Sequence, residues 1–140
     1  MLDTESYLYA AKDRFWNGIK IDMEHQIKLS GYTTVKDCIT QNYPWEATIK
    51  SLIGFCDEVV IVDGGSTDGT WEKVQEWAEK ENKIVAHQEK RDWDHPRFAV
   101  FDGLQKAVAR SLCSGNFCWQ MDCDEVVHED DYDKIRDLCK

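Results

Sequence analysis

The run Glu58-Val59-Val60-Ile61-Val62 constrains the fold of this chain more than any other segment. Every residue after Glu58 is β-branched, and no polar residue alternates with them. This composition is typical of a strand that helices cover on both faces, as in a parallel sheet. Parallel neighbours need long crossover connections, which are usually helices. The run therefore predicts an α/β fold.

Strand-like and helix-like segments alternate from about residue 30 to the end of the chain. Short β-branched or apolar runs predict four strands, at residues 32–35, 58–62, 83–87 and 117–121. Apolar residues at helical spacing predict helices that begin near Pro44, Trp71 and Pro96, and a final amphipathic segment with Tyr132, Ile135 and Leu138. This alternation predicts a mostly parallel sheet with helices on both faces.

Length and composition indicate one domain or part of one. The 140 residues are 42% hydrophobic, which suffices for one core, and no low-complexity or linker-like stretch divides them. We expect residues 1–29 to form an N-terminal helical extension, in which Asp3 or Thr4 caps a helix whose packing face runs from Tyr7 to Trp16. Residues 30–140 are expected to form the α/β part.

The charge and the termini bear on partners and location. A net charge of −10 argues against nucleic acid and anionic membrane surfaces as partners, because both would be repelled. No apolar run approaches membrane-spanning length, and the first residues lack the layout of a secretion signal. The expected location is the cytoplasm, and the six cysteines are expected to be reduced and mostly buried.

The segment Phe117–Glu125 ends in three carboxylates and carries the most specific chemistry. It is interpreted as a buried strand followed by Asp122, Asp124 and Glu125, and ligands bind beyond such strand ends in open α/β sheets. In extended backbone Asp122 and Asp124 leave on the same side, where their charges repel unless a cation neutralises them. A hard divalent metal with oxygen ligands, itself holding a pyrophosphate, would do so. The plainer alternative is a solvated acidic turn.

A second polar loop, from Asp63 to Thr70, follows the strand at residues 58–62. Its glycines let the backbone approach a ligand closely, and Asp63 can accept hydrogen bonds from a base or a ribose. The loop fits neither the dinucleotide fingerprint nor the Walker pattern. It also fits a capped turn, in which Asp68 or Thr67 caps the following helix.

Both loops carry a resemblance to a known family. The segment Asp57–Thr70 resembles the nucleotide-binding segment of family 2 inverting glycosyltransferases with the Rossmann-like GT-A fold. In the same order, Gln120–Glu125 resembles their Asp-x-Asp metal motif in the variant followed by Glu. Tyr32–Val35 and Asn42–Pro44 are similar to the first strand and helix of one bacterial subgroup. The similarity covers about residues 30 to 140.

The resemblance implies roles for individual residues. Thr33, Thr34 and Asp63, with Gly64, would receive the nucleoside. Asp122 would face the ribose or the metal, and Asp124 would coordinate Mn²⁺ or Mg²⁺ on the diphosphate. Family members commonly have a second acid where this chain has Gly64. The Arg or Asn often found on the helix before the metal motif has no clear match in Asp102, Gln105 or Lys106.

The resemblance also implies an activity, the transfer of a sugar from a nucleoside-diphosphate sugar to an acceptor hydroxyl with inversion. The acceptor and the general base are not assigned, although Glu125, His128 and Glu129 lie near the motif. Because such enzymes usually need about a hundred further residues, we expect a donor-binding half whose missing regions could attach it peripherally to a membrane. Exposed Ile135 and Leu138 would then favour self-association.

Two alternatives stay open at the level of sequence. The chain could be a non-catalytic nucleotide-sugar-binding fragment. The segment Asp122–Val126 also fits the nucleophile strand of haloacid-dehalogenase-like phosphatases, in which the first Asp attacks phosphorus. That family places this strand near the start of the domain, whereas here only a short tail follows it.

Overall fold

The computed structural model describes residues 28–140, and the predicted N-terminal helix lies outside this range. Four strands form one parallel sheet in the order β3-β2-β1-β4, with bounds β1 Leu29–Val35, β2 Glu58–Asp63, β3 Ile84–Gln88 and β4 Phe117–Gln120. The helices are α1 Trp45–Phe55, α2 Thr70–Lys80, α3 Phe98–Leu112 and α4 Tyr132–Leu138, with a 3₁₀ turn at Glu129–Asp131. The predicted α/β alternation is confirmed.

Strand β2 lies in the interior of the sheet, and helices cover both of its faces. All six of its residues are buried. Val59 and Ile61 belong to a core shared with α1 and α2, whereas Val60 and Val62 pack with Ala109 of α3. This alternation follows from the two-residue period of a strand, which needs apolar side chains on both sides when both faces are covered.

The larger core lies on the α1 side of the sheet. Leu52 and Phe55 of α1 are fully buried there, and Phe55 packs on the rings of Trp119 and Tyr132. Burial of a side chain such as Leu52 stabilises the fold by about 1.5–3 kcal/mol. Gly31 of β1 permits this packing, because a Cβ there would come within 2.8 Å of Leu52 Cδ2 and Cys56 Sγ.

Strand β4 forms where it was predicted, but the prediction that it is buried is wrong. It pairs with β1 alone and forms an edge of the described sheet. Phe117, Cys118 and Gln120 are exposed, and only Trp119 is partly covered. Its aromatic and apolar composition matches that of a central strand, but burial depends on what packs beside a strand, which a local pattern does not record.

The last helix corrects a second expectation. Ile135, predicted to be exposed, is 7% exposed and packs into the larger core, while Leu138 is 79% exposed. Arg136 fixes the helix by donating to the Phe55 carbonyl at 2.6 Å and to Asp57 Oδ1 at 3.1 Å. Within residues 28–140, no helix combines the length and the apolar character needed to cross a bilayer.

Candidate functional site

A cleft of about 570 Å³ opens at the carboxyl ends of the strands. Three segments that follow β1, β3 and β4 form it together with one side of α3. The residues that line it are Thr34, Val35, Lys36, Gln41, Tyr43, Trp93, Phe98, Asp102, Gln105, Lys106, Asp122, Cys123 and Asp124. Its position is the usual ligand site of an open α/β sheet, and its size falls in the range of small-molecule sites.

Asp122 and Asp124 both line the cleft. The strand ends at Gln120, so they lie on a turn rather than in extended backbone. The turn is closed by a hydrogen bond from the Glu125 amide to the Asp122 carbonyl, 3.1 Å, and Glu125 Oε2 accepts from the Asp122 amide at 2.9 Å. The third carboxylate of the motif therefore stabilises the turn that presents the other two.

Lys106 of α3 supplies positive charge next to this motif. Its Nζ lies 3.1 Å from Asp122 Oδ1 and 3.1 Å from Asp102 Oδ2. Partial burial lowers the pKa of Lys106, but hydrogen bonds and charge from Asp102 and Asp122 outweigh this effect and raise the pKa. Lys106 stays charged at neutral pH and partly neutralises Asp122. Lys36, on the cleft after β1, pairs with Asp37.

The donor set fits a divalent ion only in part. Among residues 28–140, no three or more His, Cys, Asp or Glu side chains cluster closely enough to hold a metal. Asp122 and Asp124 are both exposed to the cleft, and carboxylate oxygens are ligands that Mg²⁺ and Mn²⁺ prefer. Mg²⁺ is commonly held by one or two carboxylates together with substrate phosphates. The arrangement therefore fits an ion that arrives with a phosphorylated ligand.

Asp63 is placed differently from the other predicted site residues. It is the last residue of β2, it is fully buried, and it does not line the cleft. Its Oδ2 accepts from the amides of Gly65 and Ser66 at 2.8 and 2.9 Å and from Gln88 Nε2 at 3.0 Å, and its Oδ1 accepts from the Ser66 hydroxyl. In this structure Asp63 organises its own loop. Its contact with a nucleoside stays a prediction.

Of the two threonines at the end of β1, only Thr34 lines the cleft. Thr33 is 1% exposed, and its hydroxyl has no hydrogen-bond partner among the described residues. The strand period puts the two side chains on opposite faces of the sheet. Thr34 is therefore the one in position to meet a ligand, and the predicted role of Thr33 stays a prediction.

Gly64 is buried beneath a tryptophan. The indole Nε1 of Trp93 donates to the Gly64 carbonyl at 2.8 Å, and a Cβ on Gly64 would lie 2.8 Å from Trp93 Cζ2. Trp93 follows β3 and lines the cleft itself. Sequence reasoning placed it in a polar loop and missed it, because its partner lies 29 residues away. The Gly-Gly pair after β2 was the available signal, since it indicates a close approach to the backbone.

The remaining part of the glycine-rich loop is a turn held by Asp68, which lies one residue before the N-cap of α2. The N-cap itself is Gly69, so the predicted capping by Asp68 or Thr67 is found only as contacts of Asp68 with Thr70. Asp68 Oδ1 accepts from the Thr70 amide at 3.0 Å and from the Thr70 hydroxyl at 2.6 Å, and Oδ2 accepts from the Thr40 amide at 2.8 Å. Burial raises the pKa of Asp68, but these hydrogen bonds outweigh it and lower the pKa to about 2. Asp68 thus fastens the start of α2 to the segment after β1.

The residues near the motif that could act on a proton are engaged at the surface. The side chain of His128 is 68% exposed, and its Nδ1 accepts from the Asp130 amide at 3.2 Å at the start of the 3₁₀ turn. Glu125 accepts from the Asp122 amide. Neither residue lines the cleft. These positions match the interpretation of His128 as a surface histidine at a helix start, and no general base is assigned.

The sheet order, the covered faces and the cleft with its acidic turn define a Rossmann-like fold of the GT-A type, the fold of nucleotide-diphospho-sugar transferases. The family model of glycosyl transferase family 2 matches residues 46–138, from α1 to α4. The chain therefore belongs to glycosyl transferase family 2. The matched range includes the acidic motif, so the family match does not favour the phosphatase alternative.

Solved structures of S. aureus TarS share the fold. One covers 80% of this chain at 21% identity with a TM-score of 0.60, and this chain covers 19% of it. The 1–349 structures in complex with UDP and with UDP-GlcNAc match at 21% and 22% identity, each with a TM-score of 0.60, and this chain covers 32% and 31% of them. The chain thus spans less than a third of each of these structures. No curated protein sequence matches it.

Proposed function

We propose that the chain forms the donor-binding part of a glycosyltransferase, which transfers a sugar from a nucleoside-diphosphate sugar to an acceptor hydroxyl. The observation that carries this proposal is that Asp122, Asp124 and Lys106 meet in one cleft at the carboxyl ends of a parallel sheet. Family membership and the UDP and UDP-GlcNAc complexes of S. aureus TarS support the choice of ligand class.

The division of charge in the cleft suggests how a diphosphate would be held. Asp122 and Asp124 would hold Mn²⁺ or Mg²⁺, which when bound would supply positive charge to the leaving diphosphate. Lys106 carries a second positive charge on the neighbouring side of the motif, where it could pair with a phosphate oxygen. Thr34 lies on β1, between β2 and β4 in the sheet, and it also lines the cleft. This chain is strongly acidic, so these local cations matter for any phosphate ligand.

Transfer would proceed by inversion. The acceptor oxygen forms a bond to the anomeric carbon while the bond from that carbon to the diphosphate oxygen breaks, and the acceptor proton passes to a general base. Residues 28–140 supply the donor side of this scheme, and we assign no base within them. The cytoplasmic location is proposed from the sequence alone. The acceptor hydroxyl is proposed from the family resemblance.

Calorimetry tests the donor site. UDP, GDP, CDP and dTDP are titrated into the chain with and without Mn²⁺, and thermal unfolding is followed with each ligand alone and with both. At least one nucleoside diphosphate should bind, and its affinity should rise with Mn²⁺, because each ligand supplies charge that the other needs. The stabilisation by both together should exceed the sum of the two. Binding that is indifferent to Mn²⁺, or no binding by any of the four, would overturn the proposal.

A sugar-transfer assay addresses the alternative of a binding fragment without catalysis. The chain is incubated with UDP-GlcNAc, Mn²⁺ and a mixture of acceptors, and the release of UDP is compared with the release of free sugar. Binding without either product would favour the non-catalytic alternative for residues 1–140. Free sugar without a transfer product indicates that water takes the place of an acceptor.

A further inference from the structure

The two ends of the cleft differ in chemistry. The acidic motif follows β4, and Lys106 lies beside it. On the other side of β1, where β2 and β3 end, the cleft is lined by the indole of Trp93. Phe98, the first residue of α3, also lines the cleft and is 59% exposed. A ligand with a charged middle and an aromatic end would match this division.

The indole of Trp93 has a fixed position. Its Nε1 donates to the Gly64 carbonyl at 2.8 Å, and its ring meets that of Phe101 edge to face, with centroids 6.3 Å apart. Gly64 has no side chain, and this allows the ring to lie against the backbone at the end of β2. A ring held in one orientation by a hydrogen bond and a packed neighbour loses little entropy when a planar ligand stacks on it.

The loop that carries Trp93 is anchored to α3 as well. Gln105 is 2% exposed, and its amide bridges the loop by donating to the Glu89 carbonyl at 3.0 Å and accepting from Arg91 Nε at 2.9 Å. The Arg91 guanidinium also lies over the Phe101 ring, 6.0 Å from its centroid. These contacts place Trp93 on a supported segment rather than on a free loop.

Gly64 has no side chain with which to form a hydrogen bond to a base, and its backbone is covered. Its carbonyl is bonded to Trp93, its Cα is covered by the indole, and the neighbouring carboxylate of Asp63 is turned inward. The polar groups at the exit of β2 are therefore engaged within the protein. Trp93 gives this end of the cleft an aromatic surface. Nucleobases stack on aromatic side chains whatever hydrogen-bond donors and acceptors they carry.

We propose that Trp93 is the base-binding residue of this chain, and that it holds the nucleobase of the donor by stacking on the indole face that lines the cleft. This inference rests on the proposed function, since it presumes a nucleoside diphosphate whose phosphates lie at the acidic motif. The base would therefore be bound by an aromatic side chain on the loop after β3. The base is then held by ring stacking more than by hydrogen bonds to residue 64.

The test separates the base from the phosphates and from the sugar. Dissociation constants for UDP, GDP, CDP, dTDP, UDP-GlcNAc and inorganic pyrophosphate are measured by calorimetry with Mn²⁺ for the unaltered chain, for Trp93→Ala and for Trp93→Phe. Trp71→Ala is the matched control, because Trp71 lies on α2, is also partly buried and does not line the cleft. Circular dichroism establishes that each variant is folded.

For the nucleoside diphosphate that binds best, Trp93→Ala should weaken binding by about fivefold to about 140-fold, the range that stacking on one aromatic ring provides. Pyrophosphate should change less than about twofold. Trp93→Phe keeps a ring but loses the bond to Gly64, so its loss should be smaller than that of alanine, and this variant keeps the test valid if Trp93→Ala does not fold.

Three results would contradict the inference. If Trp93→Ala weakens the binding of pyrophosphate and of the nucleoside diphosphate equally, Trp93 acts through the shape of the whole cleft and not through the base. A loss for UDP-GlcNAc but not for UDP would assign Trp93 to the sugar. No loss at all would remove it from the site while leaving the donor proposal intact. Failure of the unaltered chain to bind any phosphate ligand would instead reject the proposed function itself.

Discussion

Lys106 Nζ lies 3.1 Å from Asp122 Oδ1, so the first acid of the acidic turn is paired with a lysine of α3. The same ammonium lies 3.1 Å from Asp102 Oδ2, one turn earlier on the helix. Two carboxylates that share one cation hold it in place, and the partly exposed pair contributes modestly to stability. The pairing bears more on ligand binding, because under the proposed function a metal at Asp122 would compete with Lys106 for the same oxygen.

Replacement of Lys106 with Met should tighten the binding of Mn²⁺ alone by about two- to fivefold. The reason is that a competing ammonium, worth about 0.5–1 kcal/mol at a partly exposed site, is removed from Asp122. Manganese titration followed by electron paramagnetic resonance measures the change. Lys134→Met is the control, since Lys134 pairs with Asp131 at the surface. An unchanged or weaker affinity for Mn²⁺ in Lys106→Met would show that Lys106 does not compete with the metal.

Asp124→Asn should remove the Mn²⁺ dependence of nucleoside-diphosphate binding and leave the protein as stable as before or slightly more stable. Asp124 is exposed and lies near Asp122 in the cleft, so the substitution relieves repulsion in a site kept for function. Calorimetry and urea unfolding give the two readouts. In Asp130→Asn, which alters an 86% exposed side chain outside the cleft, both should stay as they are. Full Mn²⁺ dependence in Asp124→Asn would argue against a metal ligand at this position.

Gly64→Ala should lower the free energy of unfolding by about 1–3 kcal/mol, the usual cost of forcing an extra methyl into a packed site. The new Cβ would lie 2.8 Å from Trp93 Cζ2, on a ring that is itself held by the Gly64 carbonyl. Urea unfolding followed by circular dichroism measures the loss. Gly103→Ala is a control of opposite sign: nothing lies within 4 Å of its Cβ, and Ala in a helix interior is favoured by about 1 kcal/mol.

Asp68 predicts a pH dependence of stability. Its pKa is lowered to about 2 in the folded chain, so the stabilisation that it provides is complete above its ordinary pKa and is lost as the pH falls towards 2. The free energy of unfolding, measured with urea, should therefore fall more steeply between pH 4 and pH 2 in the unaltered chain than in Asp68→Asn, which cannot titrate. Parallel curves for the two proteins over this interval would mean that Asp68 is not responsible.

Much of the fold followed from local pattern, because a strand covered on both faces must be apolar along its whole length. The run at residues 58–62 therefore predicted both helical layers, and Val59 and Val60 now lie in different cores. Strand β4 has the same apolar character but lies at the edge of the described sheet. Its sequence is locally indistinguishable from that of a central strand, since pairing partners are a property of the assembled chain.

Part of the site was predicted because its residues directly follow strands. Asp122 and Asp124 follow a strand directly, so the end of the strand determines where they lie, and both do line the cleft. Asp63 also ends a strand, yet its carboxylate turns inward to Gly65, Ser66 and Gln88. The direction of a side chain at such a point depends on which donors surround it. Contacts between distant loops, such as that of Trp93 with Gly64, have no local signature.

The inward carboxylate of Asp63 has a consequence for the glycine-rich loop. The amides of Gly65 and Ser66 donate to Asp63, and that of Thr67 donates to Asp37 at 2.8 Å. Three successive N–H groups, which in other proteins could form a cradle for phosphate oxygens, are thus already occupied by the protein's own anions. A negatively charged ligand meets no backbone donor from these three residues. Under the proposed function its phosphates would depend on side-chain ammonium groups and a divalent ion, so binding should weaken sharply as ionic strength rises or a chelator removes the ion.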